Sequence, residues 1–162
     1  MTAYGPALHQ PHKGSDADLD VMFYLYTGDD WPPYPAETVT ARMIDTFVVQ
    51  VTGIPWFAYD IAVGDEVAVT HDGVGYIGRH VRRIGGHSTV RVVATTAAEL
   101  APMADALRAL GTTVVAADDP TLLAVDVPPA VDLAAVRRTL TTAESLTCNY
   151  EVACDRHTEV NR

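Results

Sequence analysis

Lysine is almost missing from this chain: Lys13 is the only one, so arginine carries nearly all the positive charge. Positive charge is itself scarce, with Lys+Arg 11 against Asp+Glu 21 and a net charge of −10. A surface of that sign is repelled by phosphate backbones and by anionic membranes, so neither nucleic acid nor a membrane is expected as a partner. Cysteine is nearly absent too: Cys148 and Cys154 are too few for a disulfide scaffold. Their spacing to His157 does not fit a compact zinc site, and no metal or cofactor is expected. No apolar run reaches the roughly 18 residues that a membrane-spanning helix needs. The polar first stretch lacks the apolar segment of a signal peptide, so a cytoplasmic protein is expected.

What is there suits a packed core. The chain has 162 residues, 48% of them hydrophobic, enough for one ordinary domain or two small ones. Abundant Ala, Val, Asp and Thr hint at a GC-rich bacterial genome. Residues 1–20 carry Gly5, Pro6, Pro11, Gly14 and three aspartates without apolar period, and read as a flexible leader. Val21–Tyr26 reads as a strand, and the proline-rich 27–35 segment as an extended loop. Thr38–Ile44, Phe47–Val51, Glu66–Val69 and Gly75–Ile84 are further strand signals, with an Asp72-Gly73 turn. Five short strands at this spacing predict a small antiparallel barrel of the SH3-like kind over residues 21–86.

The pattern changes after Gly85-Gly86, which reads as a hinge between two modules. Ser88–Ala94 is a strand, Thr96-Ala97-Ala98-Glu99 a capping box, and Leu100, Met103, Ala104, Leu107 and Leu110 keep helical spacing up to Gly111. Strands Thr113–Ala117 and Leu122–Val127 follow, then a helix capped by Asp132 and a strand over Cys148–Cys154. The order β-α-β-β-α-β predicts a ferredoxin-like sandwich over 87–155 and a tail over 156–162. The whole is an α+β protein.

Several residues invite a chemical reading. Asp29, Asp30, Trp31 and Tyr34 sit among rigid prolines and could hold a cation or amine, or simply staple the barrel with Trp31. Alternation puts His87, Thr89 and Arg91 on one strand face, where His87 could act as a general base and Arg91 could bind an anion. The plainer alternative has His87 on a backbone carbonyl and Arg91 on an acid across the sheet. Arg79, His80, Arg82 and Arg83 form a basic cluster that could face an acidic partner or pair with Asp65, Glu66 or Asp72. Cys148, Tyr150, Val152 and Cys154 share one parity and read as core. The glycines of Gly73–Gly78 imitate a dinucleotide fingerprint but lie between strands, not between a parallel strand and a helix.

Asp29–Pro35, Gly53-Ile54-Pro55-Trp56-Phe57-Ala58, Gly64-Asp65-Glu66-Val67 and Gly86–Val92 together resemble the bacterial domain of unknown function 4265 family, over roughly residues 21–154. The resemblance implies candidate positions, namely Trp31, Tyr34, Pro55, Phe57, His87, Ser88 and Arg91, and no mechanism. Gly53 departs from that pattern, where a polar residue such as Asn is expected. The leading expectation is a non-catalytic binding protein, a partner-binding or small-molecule module with Asp29, Trp31, Tyr34, Trp56, Phe57 and Ser88 as binding residues; a small-molecule site is expected between the modules, near Trp31, Tyr34, Trp56 and His87. A homodimer through the second sheet fits the same build. The alternative is a small enzyme tailoring a metabolite or modified peptide, with His87 as base, Asp30 as its acid partner and Arg91 as anion binder.

Overall fold

The computed structural model describes residues 18–118, 121–143 and 147–157. Most of the leader and the end of the tail, residues 1–17 and 158–162, lie outside these. The strands form two separate sheets. The first holds β1 (Asp18–Tyr24), β2 (Ala36–Asp45), β3 (Val48–Val51), β4 (Glu66–His71) and β5 (Tyr76–Arg83). Neighbours in sequence pair antiparallel, and β1 also pairs in parallel with β5, so the strands close on themselves. The closing pairs are Val21 with Tyr76 and Met22 with Ile77. Strand β1 begins before the expected Val21, because Asp18, Leu19 and Asp20 pair with β2.

Inside the ring, alternate positions of each strand supply Val21, Phe23, Val39, Ala41, Val49, Val51, Val67 and Val69 to one core. Gly78 is required there: a Cβ would come within 2.2 Å of the Phe23 ring. The Asp72–Gly75 turn is closed by Asp72 Oδ1, which accepts from the N–H groups of Val74 and Gly75.

The second half contains β6 (Ser88–Ala94), α1 (Ala97–Ala109), β7 (Thr113–Ala116), β8 (Leu122–Val127), α2 (Leu133–Ala143) and β9 (Cys148–Cys154). Its sheet is antiparallel with the order β7-β8-β6-β9. Glu99 reaches back to the N–H of Thr96 at 3.1 Å and Gly111 takes φ +94 beyond the helix end, so α1 starts and stops where the sequence signals it. Leu100, Met103, Ala104 and Leu107 of α1 and Leu133, Val136 and Leu140 of α2 cover one face, against Val90, Val92, Leu123 and Val125. The α+β class is therefore as expected, with two separate cores.

Cys154 does not join Cys148 in the helix-covered core, contrary to their shared parity. A register shift in the β6–β9 ladder sets Thr89 opposite Cys154 and Val90 opposite Val152. The extra residue turns Cys154 away from the helix side, where Cys148 packs. Both cysteines are buried and no disulfide joins them. Among the described residues, no helix is long and apolar enough to cross a membrane.

Candidate functional site

The sheet face without helices is covered by the loop over 52–65, between β3 and β4. Its shape is set by Glu37. Continuing the inward parity of Val39 and Ala41, Glu37 points into the barrel end and is buried. Its carboxylate accepts from the N–H groups of Phe57 and Ala58, each at 2.8 Å, and of Trp56. Burial pushes the Glu37 carboxyl above its ordinary value, and those three donors and nearby Arg91 only partly pull it back. Gly53 lies tightly on β2, where a Cβ would sit 3.2 Å from the Thr40 nitrogen.

Arg91 ties the loop to the second sheet. It is 1% exposed, donates to Glu151 at 2.8 Å and to the Ala58 carbonyl at 2.9 Å, and lies 4.5 Å from the Tyr59 ring centre. The Tyr59 hydroxyl donates to the same Glu151 carboxylate. Thr89 donates to the Ile61 carbonyl, and Asp60 N–H to Ala153. Fully buried Asp65 accepts from Gly85 N–H at 2.8 Å, Ala62 N–H at 3.1 Å and Arg156 at 3.1 Å. A Cβ on Gly85 would lie 2.3 Å from the Gly64 carbonyl carbon. The twin glycines expected as a hinge thus form a clamped backbone crossing.

The two histidines have different surroundings. His87 is 24% exposed at its side chain and bonds through Nδ1 to Asp126 at 2.8 Å. That carboxylate can only accept, so Nδ1 carries a proton, and Nε2 has no hydrogen-bond partner among the described residues. Burial raises the Asp126 carboxyl above its ordinary value, against the lowering effect of His87. Ser88 is fully buried and pairs with His157 Nδ1 at 2.7 Å, while His157 Nε2 meets the carbonyls of Pro128 and Val131.

Three aromatic side chains pack together. Trp31 and Tyr34 each stand 5.5 Å from the ring of Phe57, one edge-on and one tilted. They remain 41% and 44% exposed. Trp56 and Phe57 then overhang the end of β7, forming a cleft of about 180 Å³ with Val115, Ala116, Ala117, Asp118 and Leu122.

The expected acid partner does not come to His87. Asp29 and Asp30 hold φ +52 and +62 at the tip of a two-residue hairpin turn closed by two Gly28–Trp31 hydrogen bonds of 3.0 Å. The front of the 27–35 segment is thus a tight turn rather than an extended loop. Neither carboxylate makes a hydrogen bond or ion pair among the described residues. Arg91 is taken by Glu151 and Ala58, and Ser88 is sealed in. In the basic cluster, Arg83 pairs with Glu66 at 3.2 Å and Arg79 donates to Thr70.

Glu37, Asp126, Glu151, Asp65 and Arg156 are the groups missed in the sequence. Glu37 and Asp126 did carry a signal, since each is an acid on an otherwise apolar strand parity. Arg156, placed in the tail, carried none, yet it is buried and donates to the Asp60 carbonyl at 2.8 Å.

The sequence family described as "Domain of unknown function (DUF4265)" matches residues 37–149. The chain belongs to that family. The family match opens at Glu37 and includes the seam loop, His87, Arg91 and Asp126, while Trp31 and Tyr34 precede it. No curated protein matches the sequence. A solved structure described as "Novel crystal structure of a hypothetical protein from Neisseria gonorrhoeae" is similar, with 20% identity and a TM-score of 0.67. The similarity covers 88% of this chain and 97% of that one, so the two share a fold.

Proposed function

We propose that this DUF4265 protein is a non-catalytic binding module that docks a protein partner on the rim formed by Trp31, Tyr34, Trp56 and Phe57. The observation that carries the reading is a pair of half-exposed aromatics, Trp31 and Tyr34, packed on buried Phe57, which sits in a loop held by buried polar contacts. Glu37 fixes the loop backbone, Arg91 fixes Ala58, and Asp65 holds the crossing at Gly85. Rigid aromatics lose little entropy on contact and suit recognition. A cleft of about 180 Å³ favours one side chain of a protein over a free small molecule, since small-molecule pockets usually span about 300–1,000 Å³.

In this reading the closed five-stranded unit is an SH3-like barrel over 21–86 and the second a ferredoxin-like sandwich over 87–155. The second assignment is supported by the strand order: numbered within that half and read from β9, it is 4-1-3-2. The placement in a bacterial cytoplasm rests on composition. The test is retention of a partner from the protein's own cell extract by wild type and by a Trp31→Ala/Tyr34→Ala variant. Loss with the variant is expected. Equal retention by both, or none by either, rejects the reading.

One observation favours a second reading, a small enzyme. His87 is oriented by Asp126 and presents Nε2 to partial solvent, the arrangement of a general base. The assigned acid is then Asp126, not Asp30. Under this reading Asp126→Asn abolishes turnover of the substrate and leaves partner retention unchanged. Under the binding reading it changes neither.

A further inference from the structure

We infer that the outer edge of β7 receives an extended basic segment of the partner protein as an added strand, with one of its side chains seated in the Trp56/Phe57 cleft. The inference rests on the binding reading above and names the partner's chemistry and pose.

Three observations converge. The sheet ends at β7 and β9, and the β9 side is partly taken by the seam loop, whose Asp60 N–H donates to the Ala153 carbonyl. Among the described residues β7 pairs with β8 alone, and an unpaired strand edge is a template for another strand. Its present cover is a side chain: Arg108, half exposed, donates to the Val114 carbonyl at 3.3 Å. A half-exposed arginine side chain can move aside where a packed helix cannot.

Second, the cleft continues this edge. Val115 is 43% exposed and lines the cleft with Ala116, Ala117 and Asp118. Side chains of a strand alternate between faces, so a strand laid along β7 sends every second side chain toward Trp56 and Phe57.

Third, the charge selects a basic segment. Asp118 lines the cleft, and Asp29 and Asp30 flank Trp31, whose ring packs on Phe57. None of these three carboxylates forms an ion pair among the described residues. With a net charge of −10 behind them, an arginine-bearing strand is attracted and an acidic one repelled.

The test uses the full chain and three short peptides: one of alternating arginine and valine, the same with glutamate for arginine, and the first with alternate backbone amides methylated. Trp31 and Trp56 are the only tryptophans, so their fluorescence reports the site directly. Backbone amide exchange along β7 reports strand addition. The arginine peptide is expected to shift the fluorescence and slow exchange in β7. The glutamate and methylated peptides should bind at least about tenfold more weakly. Val115→Arg, at an exposed position, should weaken the arginine peptide by a similar factor. Arg108→Ala should tighten it.

A fluorescence response without protection of β7 overturns strand addition and leaves the aromatic docking face standing. Equal binding of the glutamate peptide overturns the basic partner. Protection of β7 that grows with protein concentration alone overturns the proposal in favour of a second copy. Absence of any response overturns it too, whereas the docking reading falls only if the Trp31/Tyr34 variant retains the partner as well as wild type does, or if neither retains one.

Discussion

Replacing Glu37 with alanine should loosen the seam far more than removing one side chain suggests. The Glu37 carboxylate is the acceptor for three consecutive N–H groups, of which those of Phe57 and Ala58 are buried. An orphaned buried donor costs about 1–3 kcal/mol, so two of them sum to about 2–6 kcal/mol. Against a typical total of about 5–15 kcal/mol, that is a large share. Glu37→Gln should cost less, about 1–3 kcal/mol, because its single carbonyl oxygen can serve two of the donors and strands one. Urea unfolding followed by tryptophan fluorescence measures both. Because Trp56 sits on the affected loop, its folded-state emission should also shift to the red.

The same residue sets a pH dependence. Burial raises its folded pKa above the ordinary 4.5, so folding takes up a proton in the window just above that value. The contribution of Glu37 is therefore fully present below pH 4.5 and declines as pH rises through the folded pKa. Glu37→Gln should remove that part of the slope. A Glu37→Ala cost below about 0.5 kcal/mol, within the range of ordinary surface changes, would refute the claim that this carboxylate organises the loop.

Three further outcomes follow from the packing. Leu107→Ala, at a position with no exposure between α1 and the sheet, should cost about 2–5 kcal/mol in urea unfolding, and less than about 0.5 would contradict the helix face. Gly85→Ala should destabilise by about 1–3 kcal/mol or more by forcing a Cβ into the Gly64 backbone, and thermal denaturation should show a lowered midpoint. Asp65→Ala removes the acceptor of the Gly85 and Ala62 N–H groups, with an expected loss of about 1–3 kcal/mol and faster amide exchange at Gly85.

Much of the framework was legible because it is local physics. A capping box, a C-terminal glycine and the spacing of Leu100, Met103, Ala104 and Leu107 specify α1 without reference to anything distant. Ser88–Ala94 and Leu122–Val127 announce themselves as runs rich in β-branched and apolar residues, interrupted by Arg91 and Asp126, and both match the structure at each end. Even the shared face of His87, Thr89 and Arg91 follows from the two-residue period of a strand. The aromatic group was readable for a related reason: prolines stiffen the chain around Trp31 and Tyr34, and rings of that size must find cover.

Tertiary structure alone decided what those faces meet. Arg91 became a clamp because Glu151 and Ala58, far off in sequence, arrive at its guanidinium. His87 found Asp126 rather than Asp30, since the β6–β8 register sets the strand of Asp126 beside it while the Asp29-Asp30 turn closes on itself. Arg156 looks like tail, yet it reaches Asp65. Local signals depend on a few neighbouring residues and survive in one dimension. Charge pairing depends on distance in space, which the chain acquires only when two sheets fold and a loop is pressed between them.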